Sequence, residues 1–155
     1  MRKGYDTMCR IIEYTTEYEN KLIEFLDECL PESGRTLDIK GQHSYYREIE
    51  TFFHKFWIMI DSERVIGTVA IKSITETACE LKSLYLLKVY HNQGLGHTLL
   101  THAVDFARTV GYEKMYLDSL STSTKAISLY RHMGFTDTEK YNNNLRADVF
   151  MERKL

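Results

Sequence analysis

The stretch CRIIEY, Cys9 to Tyr14, has the β-branched and aromatic character of a strand. From Glu17 the period changes. Leu22, Ile23, Phe25, Leu26 and Leu30 recur at helical spacing, and the sole proline, Pro31, is expected to stop that helix. PESGRTLDIKGQ reads as a loop, and a moderately periodic segment from Ser44 to about Phe53 predicts a second helix. FWIMIDSERVIGTVAIKSI holds two apolar runs, Phe56 to Ile60 and Val65 to Ile74, around a polar turn at Asp61 to Arg64, which is a hairpin pattern. CELKSLYLL, Cys79 to Leu87, reads as another strand, yet Leu81, Leu84 and Leu86 break alternation as they would if a bulge inserted one residue. Leu95, Leu99, Ala103, Phe106 and Val110 form one stripe of a helix that Gly111 ends. KMYLDSL is a short strand. STSTKAISLYRHM is a helix with Ser and Thr as N-caps and Gly134 as its stop. The tail carries a strand from Phe135 to Lys140, a polar link YNNNLRA, and a last strand, Asp148 to Lys154. The order predicts an α/β (α+β) fold: a mixed sheet of about seven strands with helices on both faces. No repeat, linker or low-complexity stretch divides it, so one domain is expected over residues 1–155, with Met1 to Thr7 loose.

Composition narrows function more than fold. A chain of 155 residues with 43% apolar content can bury a core without disulfides. A net charge of −2 gives no basic footprint for nucleic acid. Cys9, Cys29 and Cys79 are odd in number and lack zinc or redox spacing, and the six histidines form no HExxH pair, so no metal is expected. The N-terminus lacks the apolar region of a signal peptide and no run is long enough to span a membrane, which predicts a cytoplasmic protein.

The candidate chemistry centres on HNQGLGHTLL, His91 to Leu100. A bulged strand that runs into a glycine turn and then a helix brings unpaired N–H groups and the positive end of a helix dipole together, which makes an anion site. Gly94 and Gly96 would let a phosphate approach the main chain, and no Asp or Glu occurs between Glu80 and Asp105, whereas Lys88, His91 and His97 do. The turn is neither GxGxxG nor a Walker A loop. Spacing alone leaves open that the glycines only allow tight helix-to-sheet packing.

CELKSLYLLKVYHNQGLGHTLLTHAVDFA followed by LDSLSTSTKAISLYRHMGF resembles the signature of the GNAT superfamily of N-acetyltransferases. There, a splayed strand precedes an (Arg/Gln)xxGx(Gly/Ala) turn, and an Ala-containing helix carries a Tyr shortly before Gly-Phe. Gly94, Gly96, Ala126, Tyr130, Gly134 and Phe135 carry the match over the C-terminal half, while the first half agrees mostly in its order of elements. His91 stands where Arg or Gln is usual, and Ser123 where Asn often is. The resemblance implies a splayed, bulged central strand and acetyl-CoA as cosubstrate. Its pyrophosphate would lie on the amides of Gln93, Gly94, Leu95, Gly96 and His97, its pantetheine arm on the main chain of Leu84 and Leu86, and Ser123 would hold it from the following helix.

Acetyl transfer to an amine needs a proton acceptor, because an alkyl ammonium has a pKa near 10.4, and the leaving thiolate is helped by an acid. Tyr130 stands at the position of the family's usual acid and Glu80 at that of a frequent base, often acting through water; packing of the Tyr and solvation of the Glu are the plain alternatives. Cys79 has no activating partner in sequence, so direct attack in a ternary complex is expected rather than a covalent intermediate. The resemblance places the acceptor near the first helices and the late polar link, which points to Arg35, Asp38, Tyr45, Tyr141 and Asn142. Arg35 could pair with a carboxylate and Asp38 with an ammonium. The expected function is an N-acetyltransferase acting on a small amine, with an amino acid-like one as a specific form. A protein lysine or N-terminal acetyltransferase and a non-catalytic CoA-binding module are the alternatives. No nucleic acid or membrane partner is expected, and a homodimer is left open.

Overall fold

The computed structural model describes residues 9–155, so the segment expected to be loose lies outside the described residues. Among the described residues, seven strands form one sheet in the order β1-β2-β3-β4-β5-β7-β6. They are β1 (Cys9–Glu13), β2 (Lys55–Asp61), β3 (Arg64–Ser73), β4 (Ala78–Leu86), β5 (Lys114–Ser119), β6 (Thr136–Asp137) and β7 (Val149–Lys154). The helices are α1 (Glu19–Glu32), α2 (Ile49–Phe52), α3 (Leu95–Thr109) and α4 (Thr124–His132). All strand pairs are antiparallel except β4 with β5.

β3 is the centre of the core, buried without a break from Val65 to Ile71, which explains its continuous apolar run. Trp57 of β2, opposite Val69, meets His102 and Phe106 of α3 edge-on at 5.0 Å each, so α3 covers that face. Phe56, the next residue, points the other way into a cluster with Tyr14, Tyr46 and Phe53. α1 packs against β3 through a stripe that includes Leu22, Phe25, Leu26, Cys29 and Leu30.

Three local expectations are corrected. The helix from Ser44 to Phe53 breaks into a 3-10 turn, Ser44–Arg47, and the four-residue α2. Tyr45, Tyr46, Phe52 and Phe53 contribute to one aromatic cluster, with Tyr45 stacked on Phe52 at 4.6 Å, and that packing overrides a regular helical repeat. Pro31 lies inside the last turn of α1 rather than ending it; Ser33 follows, its hydroxyl donating to the Leu30 carbonyl. The strand from Phe135 to Lys140 shrinks to β6, because beyond Thr138 the chain leaves the sheet and carries Tyr141 and Asn142 toward Glu80.

Candidate active site

β4 and β5 pair only from Ala78 to Glu80, against Lys114 to Tyr116. Beyond that point the two parallel strands part, and among the described residues β4 has no strand partner on its β5 side through Leu86. β4 also carries the expected bulge: Thr68 pairs with Tyr85 and Ala70 with Lys82, so Ser83 and Leu84 together oppose Val69. Ser83 takes a left-handed φ of 52°. Two contacts from outside the strand hold it there: the buried Thr68 hydroxyl donates to the Ser83 carbonyl (2.6 Å), and the Tyr46 hydroxyl bonds Ser83 Oγ (2.7 Å). The broken alternation in sequence is therefore a pinned bulge beside an opened sheet.

The split leads into the glycine turn. Gly94 is the N-cap of α3 at φ 78°, a conformation glycine adopts without penalty, and no side chain caps the helix. Among the described residues, the amides of Gln93, Gly94, Leu95, Gly96 and His97 find no acceptor. The packing alternative for the glycines fails on distance: a Cβ on Gly94 would meet nothing within 4 Å, and one on Gly96 only Leu129 Cδ2 at 3.5 Å, an ordinary contact. The turn is thus an uncapped, dipole-aligned set of donors with open space in front of it, which is a form suited to phosphate.

A lysine and two imidazoles stand near it. Lys125 of α4 reaches Asn92 Oδ1 (3.3 Å), and the His97 ring lies 6.4 Å from that of His132. His91 donates from Nε2 to the Leu86 carbonyl (2.9 Å), tying the turn back to β4. One of the two main-chain positions expected to receive a pantetheine arm is thereby engaged at its carbonyl, while Leu84 lies within the bulge. Ser123 occupies the N-cap position of α4 without a side-chain bond, two residues before Lys125.

Farther along α4, about 7.5 Å of helix rise from Lys125, Tyr130 is 7% exposed. Its hydroxyl has no hydrogen-bond partner among the described residues, yet it is not sealed off, since no fully buried side-chain oxygen lacks a partner. Burial pushes the phenol well above its ordinary pKa; Tyr85 and Asp118 act in the same direction and Arg35 against it. Tyr130 therefore remains a protonated donor through the neutral range.

At the apex of the split sits Glu80, 6% exposed. Its Oε2 accepts from the Tyr141 hydroxyl (2.5 Å) and Asn142 Nδ2 (3.1 Å), and its Oε1 lies 3.3 Å from Lys82 Nζ. Asn142 Nδ2 also donates to Asp118 Oδ2 (2.6 Å), and Asn144 adds a bond to the same oxygen (3.3 Å). Burial first, then the neighbouring Glu80, raises the Tyr141 phenol, so it too stays a donor. Glu80 and Asp118 thus form a carboxylate pair bridged by the one amide of Asn142.

The predicted residues divide accordingly. Tyr141 and Asn142 meet Glu80 directly. Arg35 donates to the Tyr85 hydroxyl (3.2 Å), and Tyr45 lies in the field of Tyr85, Arg35 and Asp118. Asp38 does not join them: it is exposed, its Oδ2 accepts the Gln42 amide, and its own N–H donates to His43 Nδ1. That carboxylate organises its loop. Sequence reasoning missed Asp118, Tyr85, Lys82 and Asn144. An Asp inside a strand is depleted for physical reasons and was a usable signal; Lys82 lies only two residues from its partner Glu80, whereas the partners of Tyr85 and Asn144 lie too far along the chain to be read from it. Cys79 is fully buried, and burial pushes its thiol up to about 12, which makes it a poor nucleophile. Among the described residues no group of three or more His, Cys, Asp or Glu is placed to hold a metal ion, and no helix is long and apolar enough to cross a membrane.

Comparison with known proteins bears on the family and the fold. The sequence model of the acetyltransferase (GNAT) family matches residues 18–135. The Escherichia coli K12 protein named uncharacterized N-acetyltransferase YjgM is 32% identical over 85 residues, 53% of this chain and 51% of that protein. The matched region is thus about half the length of that relative. Among solved structures, two examples illustrate the shared fold. A GNAT-family acetyltransferase from Staphylococcus aureus Mu50 superposes with a TM-score of 0.84 at 23% identity, covering 94% of this chain and 98% of its own. The PaiA N-acetyltransferase of Thermoplasma acidophilum, solved in complex with coenzyme A, gives 0.73 at 21%, covering 95% and 99%.

Proposed function

The chain belongs to the acetyltransferase (GNAT) family, and from that premise we propose that it is an acetyl-CoA-dependent N-acetyltransferase acting on the amine of a small molecule, by direct attack in a ternary complex. One observation carries the reading: α4 bears the unpartnered Tyr130 hydroxyl and also reaches, through Lys125 on Asn92, the turn that holds the uncapped amides of Gln93 to His97. The residues fit the cosubstrate, since the amides offer donors to a diphosphate, the missing Cβ atoms leave room for it, and the bulged edge of β4 offers main chain to an extended arm. Acetyl-CoA, when bound, supplies a thioester and a thiolate leaving group.

The chain's residues then have distinct tasks. Gln93 to His97 bind and orient. Tyr130 gives its proton to the departing sulfur, and its raised pKa keeps that proton available at neutral pH. An attacking ammonium must shed two protons in becoming an amide. One restores Tyr130, and the other leaves through Glu80 and water to solvent. Glu80 is suited to this as a buried carboxylate held in place by Tyr141 and Asn142. Cys79 takes no part.

A thiol-release assay with acetyl-CoA across amines, amino acids, polyamines and aminoglycosides tests the reading. Release should rise above the no-acceptor background with at least one small amine, and the product should carry one acetyl group. Mass spectrometry of the protein should find no acetyl on Cys79, and Cys79→Ala should keep turnover. Release that never exceeds background sinks the enzymatic reading; an acetylated Cys79 that turns over sinks direct attack.

A further inference from the structure

Two charges of opposite sign, neither in an ion pair among the described residues, flank the split between β4 and β5: Arg35 on Tyr85 of β4 and Asp118 on β5. Arg35 is half-buried, uses Nη1 on the Tyr85 hydroxyl (3.2 Å), and has its guanidinium 5.8 Å from that ring's centre. No carboxylate pairs with it among the described residues. A guanidinium has five donors and cannot shed its charge, so a partly buried one with a single donor engaged is short of an anion. Asp118 is its counterpart on β5, beyond the point where β4 and β5 part. It accepts only from the neutral amides of Asn142 and Asn144 and has no cation partner among the described residues. Both charges act on Tyr130, nine-tenths buried with an unpartnered hydroxyl, and both act on Tyr45. Asp38, the acid expected to take the ammonium, is spent on its own loop.

We infer that the acceptor is a zwitterion, a primary amine that also bears a carboxylate. The carboxylate lies on Arg35 and the ammonium enters on Asp118, which brings the nitrogen to Tyr130. A single guanidinium matches the single charge of a carboxylate, and its fork matches both oxygens. Tyr85, which accepts from Arg35, stands beside the carboxylate pole. Arg35 and Asp118 are thus specificity-determining residues of the acceptor site, and this inference rests on the acyl-transfer reading above.

The test pairs each common α-amino acid with the amine that lacks its carboxylate, and includes the phosphate-bearing amine phosphoethanolamine. kcat/KM is measured by thiol release, and binding by calorimetric titration into the CoA-saturated full-length protein. For the best acceptor, the carboxylate should be worth about 10- to 100-fold, mostly in KM and equally visible in binding. Arg35→Gln should erase that ratio and Arg35→Lys should reduce it partway, while Asp38→Asn should preserve it. Asp118→Asn should weaken binding of amino acid and plain amine alike. The inference is overturned if carboxylate-free amines are bound and used as well as their amino acids, if Arg35→Gln leaves the ratio intact, or if only phosphoethanolamine is preferred. Binding of an amino acid without thiol release would overturn the acyl-transfer reading and leave the zwitterion site supported.

Discussion

Replacing Tyr130 by Phe is expected to lower kcat by about 10²- to 10⁴-fold, the usual worth of a positioned general acid, while CoA affinity and folding stability hold. The separation follows from the hydroxyl's surroundings. It makes no hydrogen bond to the protein, so its removal leaves no buried group unsatisfied, and the ring still packs edge-on against Phe135 at 6.0 Å. Stopped-flow kinetics, calorimetric CoA titration and thermal unfolding on the same variant check all three parts. The sign of the pH effect is also fixed. Burial raises the folded-state pKa above the ordinary 10.0, so wild-type kcat should show no loss from tyrosine ionisation as pH rises through the neutral range and up to that value. Below 10.0 the phenol is protonated in the folded and unfolded chain alike and leaves stability independent of pH; as pH climbs from there toward the raised value the unfolded chain ionises first and stability is lost. The Phe variant should lack that alkaline loss. Unchanged turnover in Tyr130→Phe at every pH would refute the assignment.

His97→Glu should make the protein more stable and a worse CoA binder at once. Position 97 is in the first turn of α3, where a carboxylate meets the positive helix end and three uncapped amides; that is worth about 0.3–1 kcal/mol. His97 is exposed, and its one polar contact is a 3.5 Å approach to Thr101 Oγ1, so little is lost in exchange. The same charge would stand where a diphosphate is expected. Repulsion between close charges of one sign at a protein surface runs to about 1–4 kcal/mol, so CoA affinity should fall about 10- to 100-fold. Thermal unfolding without ligand and calorimetric titration with CoA give the two signs. A variant that is stabilised yet binds CoA normally would show that the helix end is not the anion site.

Much of this site was legible in the sequence, and for local reasons. Leu81, Leu84 and Leu86 could not all lie on one face of a regular strand, so the bulge was written into their spacing. Gly94 at a strand-to-helix junction, followed by an acid-free stretch, announced an uncapped helix end. The contest between tight packing and anion binding was different, because a glycine satisfies both, and only the empty space around the missing Cβ atoms decided it. Side chains whose meaning depends on distant partners were read less well. Tyr141 and Asn142 were placed at the acceptor side, but that they hold Glu80 was not visible across 61 and 62 residues. Asp38 looked like a free loop carboxylate until its bond to the Gln42 amide appeared. Asp118 hid inside a short strand. The second helix failed for a physical reason of the same kind: aromatic residues at helical spacing were drawn into a cluster with Phe56, and packing outweighed the repeat.

The most direct measurement is a titration of 15N-labelled protein with CoA, following the backbone amides, beside a titration with pantetheine, which lacks the diphosphate. Binding of CoA should shift the resonances of Gln93 to His97 more than any others, and pantetheine should leave them nearly still. CoA bound at saturation with those five amides unmoved would contradict the account at its root.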